Sequence, residues 1–209
     1  MSCPPEFLVR FGDRYLFPEN VRYPEQTVTL TAMPGPALPM RWGLLAIADP
    51  WYPETTPKFA ATTIGGGGAK VTSLTTVART RTGDGDADVM AVAASAGDLD
   101  RVATWEPLLQ DEKHFHLDSD SALGAFYEIS DAALLQPLFE DADHMKTVYD
   151  RALTEKVVAM EVDGRVVAVV FLCPDGSGIY PVHVGFDADM SAVAVTVDLR
   201  LLEAADRLD

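Results

Sequence analysis

Cysteine is nearly absent: Cys3 and Cys173 stand alone at opposite ends of 209 residues, neither in a CxxC pair. That excludes a zinc ribbon and a thioredoxin-type redox motif. No segment approaches the ~18 uninterrupted apolar residues of a membrane helix. The longest candidate, Val157 to Leu172, is broken by Glu161, Asp163 and Arg165. The start, Met-Ser-Cys-Pro-Pro-Glu, lacks the basic and apolar regions of a secretory signal, so a soluble, cytoplasmic protein is expected. Positive charge is also scarce, with 16 Lys and Arg against 32 Asp and Glu. A chain so poor in cations cannot neutralise a run of phosphates or dock on anionic lipid. Neither nucleic acid nor a membrane is an expected partner.

The acidic excess is uneven. Residues 1–83 carry 8 basic and 6 acidic side chains, residues 84–150 carry 3 and 16, and residues 151–209 carry 5 and 10. The middle third, at −13, is either a solvated, solubilising face or a surface that receives a basic partner or a cation. At 48% hydrophobic and 23% charged, the composition is that of a globular chain with a sizeable core.

Punctuation and periodicity organise the chain as one β-rich α+β domain over 1–209, with an N-terminal extension over 1–25 and no internal repeat. Thr27–Thr31 is β-prone, followed by a turn-rich connection at Pro34, Gly35, Pro36 and Pro39. Gly43 to Ala48 reads as a buried strand ended by Asp49-Pro50. Gly65 to Gly68 lead into Ala-Lys-Val-Thr rather than Lys-Ser or Lys-Thr and a helix, so they form a linker or turn, not a phosphate loop. Val71 to Ala94 reads as two strands about Thr82-Gly-Asp-Gly-Asp86, and Phe115 to Phe126 as mostly extended. One long helix is expected from Pro137 to Leu153, with Leu138, Ala142, Met145, Tyr149 and Leu153 as its apolar stripe and Pro137 in its first turn. Val157–Val162, Val166–Cys173, Ile179–Phe186 and Ala192–Leu199 read as a four-stranded antiparallel meander over 155–200. Within it Val182, Val184, Val193, Val195 and Val197 face inward beneath the helix, with Pro181, His183, Ala194 and Thr196 outward. Alternating βα units are lacking, which excludes a Rossmann-like sheet or a TIM barrel.

The densest polar constellation is His114-Phe-His-Leu-Asp-Ser-Asp120. As a strand it sets His114, His116, Asp118 and Asp120 on one face and Phe115, Leu117 and Ser119 on the other. Two imidazoles and a carboxylate on one face resemble sets that hold zinc or non-haem iron, and His144 or His183 would have to complete them. Asp84, Asp86 and Asp88 have the spacing of a calcium loop, but Val89 and Ser95 replace its glycine and glutamate, so an acidic turn is the better reading. No Gly-x-Ser-x-Gly elbow occurs. Trp42, Trp51, Trp105, Tyr52 and Tyr180 are aromatic candidates for a pocket, each more readily a core residue or a packed edge.

Gly178-Ile-Tyr-Pro-Val-His-Val-Gly185, with Asp187-Ala-Asp189 and Val197-Asp-Leu199 behind it, resembles the closing signature of a mainly bacterial family, domain-of-unknown-function family 4241. Gly43 through Asp49-Pro50-Trp51, Trp105-Glu106 and Leu117-Asp118 through Phe126 match further family segments in order, so the resemblance spans residues 40–200. Two departures stand out. Ser177 replaces the acid of the family's Gly-Asp-Gly, and Asp120 replaces a glycine. If that acid were catalytic, Ser177 would imply lost or altered activity. The resemblance implies no enzymatic role. Asp118, which falls at a recurrent position of the family, is a candidate binding residue together with Asp120, Trp51, Tyr180 and Asp187. The expected function is a non-catalytic binding or immunity-type protein with an acidic face for a basic protein partner and no cofactor. The alternative is a metal-dependent hydrolase holding a divalent ion on His114, His116 and Asp118, with Asp120 either supporting a ligand or acting as base and His183 completing the set.

Overall fold

The computed structural model describes residues 14–17, 26–52, 59–65, 73–82, 88–174, 176–199 and 206–208. In chain order the strands are β1 (Arg14–Phe17), β2 (Gln26–Pro39), β3 (Leu44–Ala48), β4 (Phe59–Thr63), β5 (Ser73–Thr82), β6 (Asp88–Ser95), β7 (Thr104–Pro107), β8 (Leu109–Gln110), β9 (Lys113–His114), β10 (His116–Ser119) and β11 (Leu123–Glu128). Helices α1 (Ala132–Glu140) and α2 (Ala142–Glu155) follow, then β12 (Val157–Val162), β13 (Arg165–Leu172), β14 (Gly178–Phe186), β15 (Ala192–Asp198) and β16 (Asp206–Leu208). Every strand pairing among the described residues is antiparallel. The class is β-rich α+β.

The strands form two main sheets. One has nine strands in the order β10-β14-β15-β6-β5-β2-β1-β16, with β7 also on β14; the other has five, β12-β13-β11-β3-β4. The five-stranded sheet lies between the nine-stranded sheet and the helices, and the apolar pattern shows why. In β3, Leu45 and Ile47 join the core between the sheets, while Ala46 and Ala48 join the core beneath the helices. A strand covered on both faces reads as an unbroken apolar run, which is what Leu44 to Ala48 is.

This layering corrects the four-stranded meander. β12 and β13 form one hairpin in the five-stranded sheet, whereas β14 and β15 pair in the nine-stranded sheet. The chain changes sheets after Cys173, through a turn in which the Gly176 N–H bonds the Cys173 carbonyl and Gly176 takes a left-handed φ of 81°. Four of the five valines expected inward are so placed: Val182, Val184, Val195 and Val197 line the core between the sheets, whereas Val193 is buried outside that core, at the bulge where Gly185 pairs with Ala194 and Phe186 with Ala192. Their cover is the other sheet rather than the helical stripe. Met145, with Leu138 and Tyr149 beside it, packs on the outer side of the five-stranded sheet. Ala194, Thr196 and His183 lie on the opposite face from the valines, as expected, but are themselves buried. Ala194 packs with Ala93 and Leu99 there.

The single long helix is two. Asp141 leaves helical geometry with a ψ of 103° and its carboxylate accepts from the Asp143 and His144 N–H groups, so it caps a new helix. Pro137 lies inside α1, not in a first turn, because Ala132, Leu135 and Phe139 already anchor the helix to the sheet from Ala132 onward. The proline-rich segment after Thr31 is also strand rather than turn. β2 runs on to Pro39 along β5 with a bulge between Pro34 and Ala37, which takes Pro36 out of the ladder while Pro34 stands opposite Val77 and Pro39 opposite Ser73. Gly66 to Gly68, the turn over 83–87 and the 1–13 part of the N-terminal extension lie outside the described residues.

Candidate functional site

One edge of the nine-stranded sheet is built in an unusual way. β7 and β10 both lie along β14, with Pro107 opposite His183 and His116 opposite Pro181. Between them the chain departs as the small hairpin β8–β9 and returns. Its root is tied by Leu108 N–H to the Val182 carbonyl and by Phe115 N–H to the Leu108 carbonyl, and both side chains enter the core between the sheets. Its tip is Asp111 and Glu112, both left-handed with φ of 51° and 63°, the backbone of a tight hairpin turn usually given to Asn and Gly. The Leu108–Val182 bond means that even-numbered residues of β14 bond towards this edge. Leu117, opposite Tyr180, therefore bonds inward, and the main-chain groups of His116 and Asp118 point away from the sheet.

Side chains alternate along this edge as the sequence pattern requires. Phe115, Leu117 and Ser119 are buried; His114 and His116 are exposed and Asp118 is half-buried. Opposite residues of an antiparallel pair share a face, so His116 and Pro181 point the same way, and so does His183 two places further along β14. His183 is only 7% exposed, and its Nδ1 is buried without a hydrogen-bond partner. Burial, then the nearby His116 and His114, lower its basicity below that of an ordinary histidine. Three of the four histidines therefore lie along one stretch of this edge. Asp118 does not join them: it stands opposite Ile179, on the far side of His116 from His183. In this side-chain arrangement no three His, Cys, Asp or Glu among the described residues form a metal-holding group.

The other end of β10 is fixed by a buried carboxylate. Asp49, wholly buried at the end of β3, accepts from the Asp120 N–H (2.7 Å), the Ser121 N–H (3.0 Å), the Ser121 hydroxyl (2.7 Å) and the Trp51 N–H (2.9 Å). Asp120 is thus held through its backbone, and Ser177 donates to its carbonyl at 2.8 Å. Tyr180 is buried in the core and its hydroxyl donates to the Gly176 carbonyl at 2.8 Å, while Trp51 is about half exposed (52%). Asp187 shapes the β14–β15 turn, accepting from the Asp189 and Ser191 N–H groups. Cys173 is buried, and that burial pushes its thiol far up, which keeps it protonated at neutral pH. Asp84 and Asp86 lie outside the described residues.

Two buried carboxylates escaped the sequence reading. Glu128 accepts from the successive N–H groups of Arg41, Trp42 and Gly43. Asp131 forms a two-pronged ion pair with Arg165 at 2.7 and 2.8 Å. The available signal was the position of Glu128 at the end of the wholly apolar run Leu123 to Tyr127, where a charge must find buried donors.

The segments that carry the family resemblance meet in space. The Gly43–Trp51 segment is joined to Leu117–Phe126 by Asp49, and Trp105-Glu106 pairs with Gly185 and Val184 of β14. No family model, curated protein or solved structure matches the chain. Among the described residues, no helix is long and apolar enough to cross a membrane.

Proposed function

We propose that this chain is a non-catalytic binding protein, of the immunity type, that receives a basic protein partner on the β7–β10 edge. One observation carries the reading. Residues 96–120 hold seven Asp and Glu against two Lys and Arg, and the acids at the rim, Glu106, Asp111 and Glu112, are exposed and enter no ion pair among the described residues. Two acids of α2 are different, since Asp150 is paired with Lys146 and Glu155 with Arg151. Unpaired like charges along one edge steer an oppositely charged partner and raise its association rate, most at low salt. The open main-chain groups of His116 and Asp118 add a directional contact. A cytoplasmic location and membership of family 4241 belong to this reading.

Affinity capture from a lysate of the source cell, at low and at high salt, tests it. A basic protein retained at low salt and released at high salt is expected. Recovery of none under either condition contradicts the reading.

A further inference from the structure

We propose that His183, His114 and His116 form a binding site for a first-row transition-metal ion, of which zinc is the probe of choice. This inference does not depend on the partner reading. His183 and His116 are diagonal neighbours on one face of the β10–β14 pair, a relation that sets their backbones roughly 7–8 Å apart. His114 joins them from β9, immediately before the Phe115 that anchors the hairpin root. The three histidines thus stand on three strands along one stretch of the edge.

His183 supplies the independent sign of a ligand. It is more than nine-tenths buried, yet its Nδ1 meets no donor or acceptor. An orphaned buried nitrogen is costly, at about 1–3 kcal/mol, and a bound ion is one of the things that account for it. A neutral imidazole offers one lone pair, which suits zinc, copper, nickel or iron far better than magnesium or calcium. His114 and His116 are exposed and free to change rotamer, and β9 is held to β8 by only two residue pairs. Turning both rings onto His183 closes a three-nitrogen set of the kind that leaves a fourth position open. The surrounding acids raise the local concentration of cations. Asp118, on the wrong side of His116, takes no part, which distinguishes this set from a His-x-His-x-Asp strand.

Isothermal titration of Zn2+ into the full chain, purified without a tag and stripped with chelator, tests the site. One ion per chain is expected. His116→Gln and His183→Gln should each weaken binding by about 100-fold or more, the upper end of what even losing an outer-shell partner costs. Asp118→Asn should leave it unchanged. Substituted Co2+ should show the visible absorption of a low-coordinate site, lost in the same variants. If His183→Gln fails to fold by circular dichroism, His114→Gln, on the exposed hairpin, carries the same test. Absence of a one-to-one complex, or affinity unchanged by His114→Gln and His116→Gln, would overturn the proposal.

Discussion

The interior of the five-stranded sheet and the edge of the nine-stranded sheet treat charge in opposite ways. Inside, Asp49, Glu128 and Asp131 are almost fully buried, and each is answered, by four donors, by three backbone N–H groups and by Arg165. At the edge, Glu106, Asp111 and Glu112 are exposed with no ion pair among the described residues. A buried charge survives only where the fold supplies partners, so the interior carboxylates define how strands and loops meet. A solvated charge has no such requirement, so the edge acids are free to serve something other than folding.

Breaking the interior side should give the largest loss. Asp49→Ala leaves the N–H groups of Trp51, Asp120 and Ser121 and the Ser121 hydroxyl without their acceptor, and should cost about 3 kcal/mol in urea unfolding. A loss below about 1 kcal/mol would mean that water replaces the carboxylate without penalty. Next, Val195→Ala, in the core between the sheets, should cost about 1–3 kcal/mol by burial and cavity. Thr196→Ala should cost about 1 kcal/mol, because its hydroxyl is buried and donates to the Val92 carbonyl at 3.2 Å. Equal losses at the two positions would show that both faces of β15 are packed alike.

A gentler effect is expected from pH. Burial, with His116 and His114 nearby, depresses the basicity of folded His183 below the ordinary value near 6.5. The unfolded chain therefore takes up a proton that the folded chain refuses as pH falls below about 6.5, and stability drops in that range. Above it, His183 makes no pH-dependent contribution. Denaturation midpoints at pH 7.5 and about 5.5, with chelator present, should differ more for the natural chain than for His183→Gln. An identical difference in both would assign the effect elsewhere.

Much of this was legible in the sequence because it depends on period two. The alternation along His114 to Ser119, the inward valines of β14 and β15 and the buried run of β3 all follow from residues i and i+2 sharing a face. What period cannot show is which sheet a hairpin joins. β12–β13 and β14–β15 have the same pattern and turn chemistry, yet they lie in different layers, a choice made by contacts distant in sequence such as Phe171 on Phe126 at 5.1 Å. The break at Asp141 was hidden because an aspartate within an apolar stripe looks the same whether it is exposed or capping. The choice of His183 over His144 as the neighbour of His116 was hidden because strand pairing distant in sequence, not spacing, creates it.

The smallest effect on stability belongs to the edge, and it tests the central contrast most directly. Glu106→Lys, Asp111→Lys and Glu112→Lys together should change the unfolding free energy by less than about 0.5 kcal/mol per site, since all three side chains are exposed. The same triple variant should fail to retain at low salt the basic partner proposed for the natural chain. Capture equal to that of the natural chain would contradict the account, because the unpaired edge acids would then serve neither folding nor binding.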